Sequence, residues 1–272
     1  MAMHSITDWD DAYANAAHTP GAEDIILRWE ADAAAFRSNV QCELDVPYGQ
    51  GEREKCDLFH PDGHSKGLFV FVHGGYWLRF DKSYWSHFAA GALARGYTVC
   101  MPSYPLCPDV EIGDIGRCVS KSIAQIAAGI DGAIYLCGHS AGGHIVSLLS
   151  TKEFGLNDSV SSRVAKTASI SGVHDLRPLL KTELNERLKL TEATCQTWSP
   201  ALLKPFQNAN LLCWVGVDER PEFVRQNRLL ADMWLGLGAS VQRVEEAGRH
   251  HFDVIDGLRD PDSTLMRAVF ED

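Results

Sequence analysis

Residues 133–143 read AIYLCGHSAGG, and HIVSLLS follows at 144–150. The first six residues, AIYLCG, form an apolar run that ends in glycine, as a buried strand would. Gly138 to Gly142 then spell G-H-S-A-G, and a helix-forming apolar stretch begins at once. G-x-S-x-G between a strand and a helix is a nucleophile elbow. The turn forces Ser140 into a strained backbone conformation, and Gly138 and Gly142 flank it because side chains there would collide. Two consequences follow. Ser140 Oγ stands exposed at the strand end, and the Ala141 N–H faces the same space at a helix N-terminus, which favours negative charge. The plainer reading of these letters is a glycine-rich βα loop with no chemistry.

Outward from this stretch the chain alternates. GLFVFV (67–72) predicts a buried strand, KSYWSHFAAGALARG (82–96) a helix closed by Gly96, and YTVCMPSY (97–104) a strand. A helix is expected over about 112–129, a strand at VAKTASISG (164–172), a strand at NLLCWVG (210–216), a helix at 221–238 and a strand at SVQRVEEAG (240–248). KCDLFHP (55–61) also alternates as a strand, and an Ala-rich helical segment occupies 8–37, broken at HTPG (18–21). Strands alternating with helices predict an α/β fold with a mainly parallel sheet covered on both faces. Ligands of such sheets bind beyond the carboxyl ends of the strands. The rhythm breaks over 174–205, an insertion expected to act as a small helical lid on a single domain of residues 1–272, or as surface decoration.

The 272 residues are 45% hydrophobic and 22% charged, with a formal net charge of −11. That acidity argues against nucleic acid and anionic membranes as partners, since phosphate contacts need a basic face. The N-terminus lacks the apolar core of a secretory signal, and the longest apolar runs are far too short to span a membrane. Eight cysteines are scattered without a CxxC pair, so reduced thiols in a cytoplasmic compartment are expected. His139 and His144 do not make a metal pair on one helix face, and no carboxylate completes a set, so neither metal nor cofactor is expected.

A serine hydroxyl needs a base, and the base an orienting acid; after a nucleophile elbow the acid arrives first and the histidine last. Asp218 and Glu219 follow the strand NLLCWVG. Glu222 belongs already to the next helix. His250 and His251 follow the last strand. Either member of each pair fits this spacing. A second group of oxyanion donors is expected from H-G-G after GLFVFV, where Gly75 and Tyr76, with Gly74 beside them, offer N–H groups free of intervening side chains. His73 is expected to support that loop. SISG (169–172) could add polar groups. His73, Trp77 and His139, with Tyr84, Trp85 and Trp198, are candidates for the substrate pocket.

HGGYW, GHSAGGH, ISGVHDLRPLL, PEFVRQ and HHFDVI occur in that order. Together, over about residues 55–260, they resemble the kynurenine formamidase (arylformamidase) branch of the α/β-hydrolases, near the hormone-sensitive-lipase-like esterases. The resemblance implies an α/β-hydrolase fold and cleavage of small amide or ester bonds, in the named activity N-formyl-kynurenine to kynurenine and formate. It assigns Ser140 as nucleophile, Glu219 as acid by the G-x-x-acid count from Gly216, and His251, in His-Phe at the start of the last helix, as base. Two departures stand out: Glu replaces the usual Asp, and the H-G-G loop lacks the third glycine of lipases. A homodimer is compatible with the branch. A short-chain carboxylesterase, an acyltransferase and a non-catalytic binding protein on the same fold are the rival readings.

Overall fold

The computed structural model describes residues 6–271. Every residue of GLFVFV is buried, and a strand sends successive side chains to opposite faces. Leu68, Val70 and Val72 therefore enter one apolar layer, together with Ile115, Val119 and Ile123 of helix Ile112–Ala127 and Ile145 of helix Ala141–Leu149. Phe69 and Phe71 enter the layer on the other face, with Trp85, Phe88, Leu258 and Met266. Each such side chain, fully buried, contributes about 1.5–3 kcal/mol. A continuous apolar run, rather than an alternating one, is what a strand covered on both faces requires.

The strands are β1 (Cys42–Pro47), β2 (Lys55–Phe59), β3 (Gly67–Val72), β4 (Thr98–Pro102), β5 (Ala133–His139), β6 (Val164–Ile170), β7 (Asn210–Gly216) and β8 (Ser240–Glu246). Their order in the sheet is β1-β2-β4-β3-β5-β6-β7-β8. Pairings β1/β2 and β2/β4 are antiparallel and the remaining five are parallel. Register places Val72 beside Gly138, His139 beside Ile170, and Ile170 beside Trp214. Four strands thus finish together, and the residues just beyond them (73–76, 140, 171 and 217–219) emerge along one edge. This is the mainly parallel sheet the alternation predicts, in the α/β-hydrolase architecture that the resemblance implies.

Several elements differ from expectation. β1 has no apolar period, since Glu43, Leu44 and Asp45 are exposed; it exists because β2 offers an edge to pair with. The expected helix over 82–96 is two short 3₁₀ turns, Lys82–Tyr84 and Ser86–Ala89, followed by an α-helix only at Ala90–Ala94. Tertiary contacts override propensity there. Lys82 Nζ reaches Asp45 and Asp57 at 2.8 Å each, and the Trp85 ring lies 4.7 Å from Trp29. His251 and Phe252 do not start a helix: they lie in turns, followed by a 3₁₀ turn at Asp256–Arg259 and a last helix at Thr264–Phe270. The 174–205 insertion sends Leu176, Leu179, Leu188, Cys195 and Trp198 into the core.

Candidate active site

Ser140 follows β5 directly, with φ 55° and ψ −117°, a region costly for a residue with a Cβ. The flanking glycines show what holds it there. A Cβ on Gly142 would lie 1.9 Å from Val72 O, and one on Gly138 would lie 2.2 Å from Gly142 O. Only glycine lets the helix pack so closely on β3 and β5. The Ser140 amide donates to Ile170 O at 2.8 Å, which ties the elbow to the neighbouring strand. Ala141 is the first residue of its helix, so its N–H has no acceptor within the helix.

The loop after β3 crosses over the elbow. A Cβ on Gly74 would be 3.0 Å from His139 O and 3.1 Å from Ser140 Cβ, and Gly75 takes φ +114°. Tyr76 and Trp77 both have left-handed φ, 55° and 59°. Among the described residues the amides of Gly74, Gly75 and Tyr76 have no hydrogen-bond acceptor. His73 supports this loop from below. Its Nδ1 donates to Gly74 O at 2.7 Å, its ring stacks on Tyr104 at 4.2 Å, and burial pushes its pKa down to about 4.

The second half of the site comes from β7 and β8. Glu219 is buried, and its Oε2 accepts from His251 Nδ1 at 2.6 Å. Its Oε1 accepts from Ser171 Oγ at 2.5 Å and from the Gly216 amide at 2.9 Å. With Nδ1 carrying the proton toward the carboxylate, the neutral ring leaves Nε2 as its basic nitrogen. The imidazole is caged: Phe223 meets it edge-on at 4.7 Å, and His139, also 4.7 Å away, donates through Nε2 to His251 O at 2.8 Å. Burial holds His139 well below the ordinary histidine range, and the neighbouring His251 acts more weakly in the same direction. The alternatives lie elsewhere. Asp218 is exposed, and His250 engages Asp253 at 3.2 Å. The geometry joins Glu219 to His251.

Ser140 and His251 line one cavity of about 270 Å³, with Gly75, Tyr76 and His139. The rest of the wall departs from expectation. Trp77 is fully buried and packs edge-on to His144 in the core, and His73 lies beneath the loop, so neither lines the cavity. Trp85 does line it, as the sequence suggests, whereas Tyr84 and Trp198 do not. The insertion 174–205 contributes no lining residue here and reaches only a neighbouring groove through Glu183, Leu184 and Arg187. The covering wall is instead residues 13–17 of the N-terminal segment, with Trp29, Phe80 and Phe252 behind it. Ser171, Asn15 and Arg79 carry no motif that marks them in the sequence beforehand; SISG alone hints at the first. Among the described residues no group of three His, Cys, Asp or Glu could hold a metal ion, and no helix is long and apolar enough to cross a membrane.

Comparison with known proteins agrees with this fold. Residues 69–266 match the family described as the alpha/beta hydrolase family. Kynurenine formamidase of Salmo salar is 31% identical over 93% of this chain and 91% of its own length, and that of Danio rerio 30% over 86% and 83%. A crystal structure of a thioesterase candidate from a Silicibacter species superposes with TM-score 0.92 at 44% identity, covering 96% of this chain and 98% of that one. The chain is a hydrolase and belongs to the alpha/beta hydrolase family, among relatives of the kynurenine formamidases.

Proposed function

We propose that the chain is a serine hydrolase whose substrate is an aryl formamide, N-formyl-kynurenine first among them. One observation carries the mechanism: His251, held by Glu219 at 2.6 Å, lines the same cavity as a serine in a nucleophile-elbow conformation. Ser140 Oγ bonds to the formyl carbon while its proton passes to His251 Nε2. The resulting oxyanion is received by the N–H groups of Gly75, Tyr76 and Ala141, with Gly74 allowing the approach. Each such donor is worth roughly 3 kcal/mol in the transition state. As the C–N bond breaks, the imidazolium returns the proton to the departing amine and kynurenine leaves. Water then attacks the formyl-serine, His251 takes its proton, and formate departs as Ser140 Oγ is reprotonated. Glu219 holds the tautomer and offsets the positive charge on the ring.

The cavity supports a small substrate, since about 270 Å³ is below the ~300–1,000 Å³ of sites for drug-sized ligands. Its walls of Trp29, Tyr76, Phe80, Trp85 and Phe252 suit an aromatic leaving group. Eight free cysteines support a reducing, cytoplasmic setting. A second reading, hydrolysis of a short acyl thioester, is favoured by the name of the 44%-identical relative. Purified protein assayed for formate release from N-formyl-kynurenine, beside a panel of short esters and acyl thioesters, separates the two. Ser140→Ala should abolish turnover and fluorophosphonate labelling; retained turnover sinks the mechanism.

A further inference from the structure

The oxyanion loop continues as Leu78-Arg79-Phe80, and its course is tightly set. Leu78 N donates to Gly75 O at 3.0 Å, and Arg79 O lies so near Gly75 that a Cβ there would approach it to 2.4 Å. Arg53 clamps the far end, with Nε on Tyr104 O at 2.8 Å and Nη2 on Phe80 O at 2.5 Å. The two arginines differ in use. Arg53 spends its guanidinium on backbone carbonyls. The Arg79 guanidinium makes no ion pair or hydrogen bond among the described residues and rests only against the Phe80 ring, 5.4 Å from its centroid.

Arg79 lines the cavity that holds Ser140 and also the neighbouring groove, so it stands at the passage between them. Among the described residues no Asp or Glu lines this cavity, although the chain carries 36 acidic residues against 25 Lys and Arg. The acids of the groove, Asp10 and Glu183, make no ion pair with it; Asp10 Oδ1 accepts from the Glu183 amide at 2.8 Å. A second uncommitted donor stands on the cavity wall. Asn15 is buried, its Oδ1 accepts from the Arg220 amide at 3.2 Å, and its Nδ2 has no partner among the described residues. A solvent-exposed cation with no protein partner, carried on a held loop, and a spare amide donor beside an aromatic cavity that no described acid lines call for an anionic oxygen group.

We propose that Arg79 is a specificity residue that pairs with a carboxylate carried on the part of the substrate reaching the cavity mouth. The proposal rests on the reading of Ser140 as nucleophile. It selects, among small aryl amides and esters, those whose larger portion is negatively charged. The acyl group, held at the oxyanion loop, lies at the other end. An ionised partner is recognised here because the loop backbone fixes where the Arg79 side chain starts, and none of the described carboxylates occupies its guanidinium.

The test uses two substrates that differ in one charge, 4-acetoxybenzoate and its methyl ester, with phenol release followed for wild type, Arg79→Gln and Arg79→Lys. Removing a charge-assisted pair should lower the anionic-to-neutral ratio of kcat/KM about 10- to 100-fold in Arg79→Gln. The fall should lie mainly in KM, with part of the ratio retained in Arg79→Lys. Calorimetry in a Ser140→Ala background reads binding without turnover, and there Arg79→Gln should weaken 4-acetoxybenzoate selectively. A ratio unchanged in Arg79→Gln, or equal weakening of both ligands, overturns the proposal. Failure of the nucleophile reading would show instead as turnover surviving in Ser140→Ala, which leaves the binding comparison intact.

Discussion

Replacing Glu219 by Gln changes almost no volume and removes one charge. Two donors, Ser171 Oγ and the Gly216 amide, converge on Oε1, so the amide oxygen of Gln must take that side. The NH₂ group is then set against His251 Nδ1, which the carboxylate meets at 2.6 Å. An NH₂ can only donate, so the ring turns to the tautomer with Nδ1 bare and the proton on Nε2. That nitrogen, now protonated, can no longer accept a proton from Ser140 across the cavity the two residues share. Loss of the correct tautomer in serine enzymes costs about 10⁴ in kcat, or about 5.5 kcal/mol. Glu219→Asp withdraws the carboxylate by one methylene and should fall between. Asp218→Asn, at an exposed position, should leave activity near wild type. The assay is kcat/KM for p-nitrophenyl acetate and for formate release, with a thermal melt to confirm folding. A folded Glu219→Gln enzyme within about tenfold of wild type would refute the orienting role.

Acid should destabilise the protein through its buried histidines. Burial pushes His73 and His144 down to about 4 and His174 to about 3. The folded state keeps these rings neutral while the unfolded chain takes up protons near pH 6.5, so their contribution is complete above that pH. It is lost as pH falls toward 4, by up to about 2 kcal/mol per ring at about pH 5; urea melts across that window check it, and a flat profile contradicts it. Tyr13→Phe removes the hydroxyl that donates to Glu222 Oε1 at 3.0 Å and accepts from Gln226 Nε2 at 3.2 Å. A loss of about 1–2 kcal/mol in stability, with KM raised more than kcat is lowered, is expected from melts and steady-state kinetics; unchanged values in both would show that the wall does not depend on this anchor.

Much of the candidate site was legible because each of its groups sits where local backbone rules put it. Gly138, Gly142 and Gly75 mark close approaches that no other residue allows, Gly74 marks a tight one, and β3, β5 and β7 are apolar runs with boundaries written into their composition. The ambiguous pairs could not be settled that way. Asp218 against Glu219, and His250 against His251, differ by one residue in a turn, and only the direction each side chain takes decides. Trp77 shows the same limit: consecutive left-handed φ at Tyr76 and Trp77 sends one ring to the cavity and the next into the core. β1 was illegible because pairing to an edge, and not its own pattern, makes it a strand. The cavity wall escaped for a further reason. Residues 13–17 are ordinary Ala-rich sequence, and their importance comes from where the fold brings them.

What brings them there is the turn that carries Glu219. Between Gly216 and Glu222 the chain presents Glu219 to His251, and its next residues reach the other way. Arg220 Nε donates to Asp11 O at 3.0 Å, its guanidinium pairs with the Asp11 carboxylate, and its amide donates to Asn15. Glu222 accepts from Tyr13, while Arg225 and Gln226 neutralise and satisfy it at 2.7–2.8 Å. Tyr76, in the loop after β3, donates its hydroxyl to Tyr13 O at 2.5 Å. The N-terminal wall is thus fastened both to the turn of Glu219 and to the loop of Gly74, Gly75 and Tyr76. Displacing it would loosen two parts of the site that are far apart in sequence, whereas the elbow, wedged by Gly138 and Gly142 against β3, would stay in place. Damage to the wall should therefore disturb substrate binding and the alignment of His251 before it disturbs the reach of Ser140.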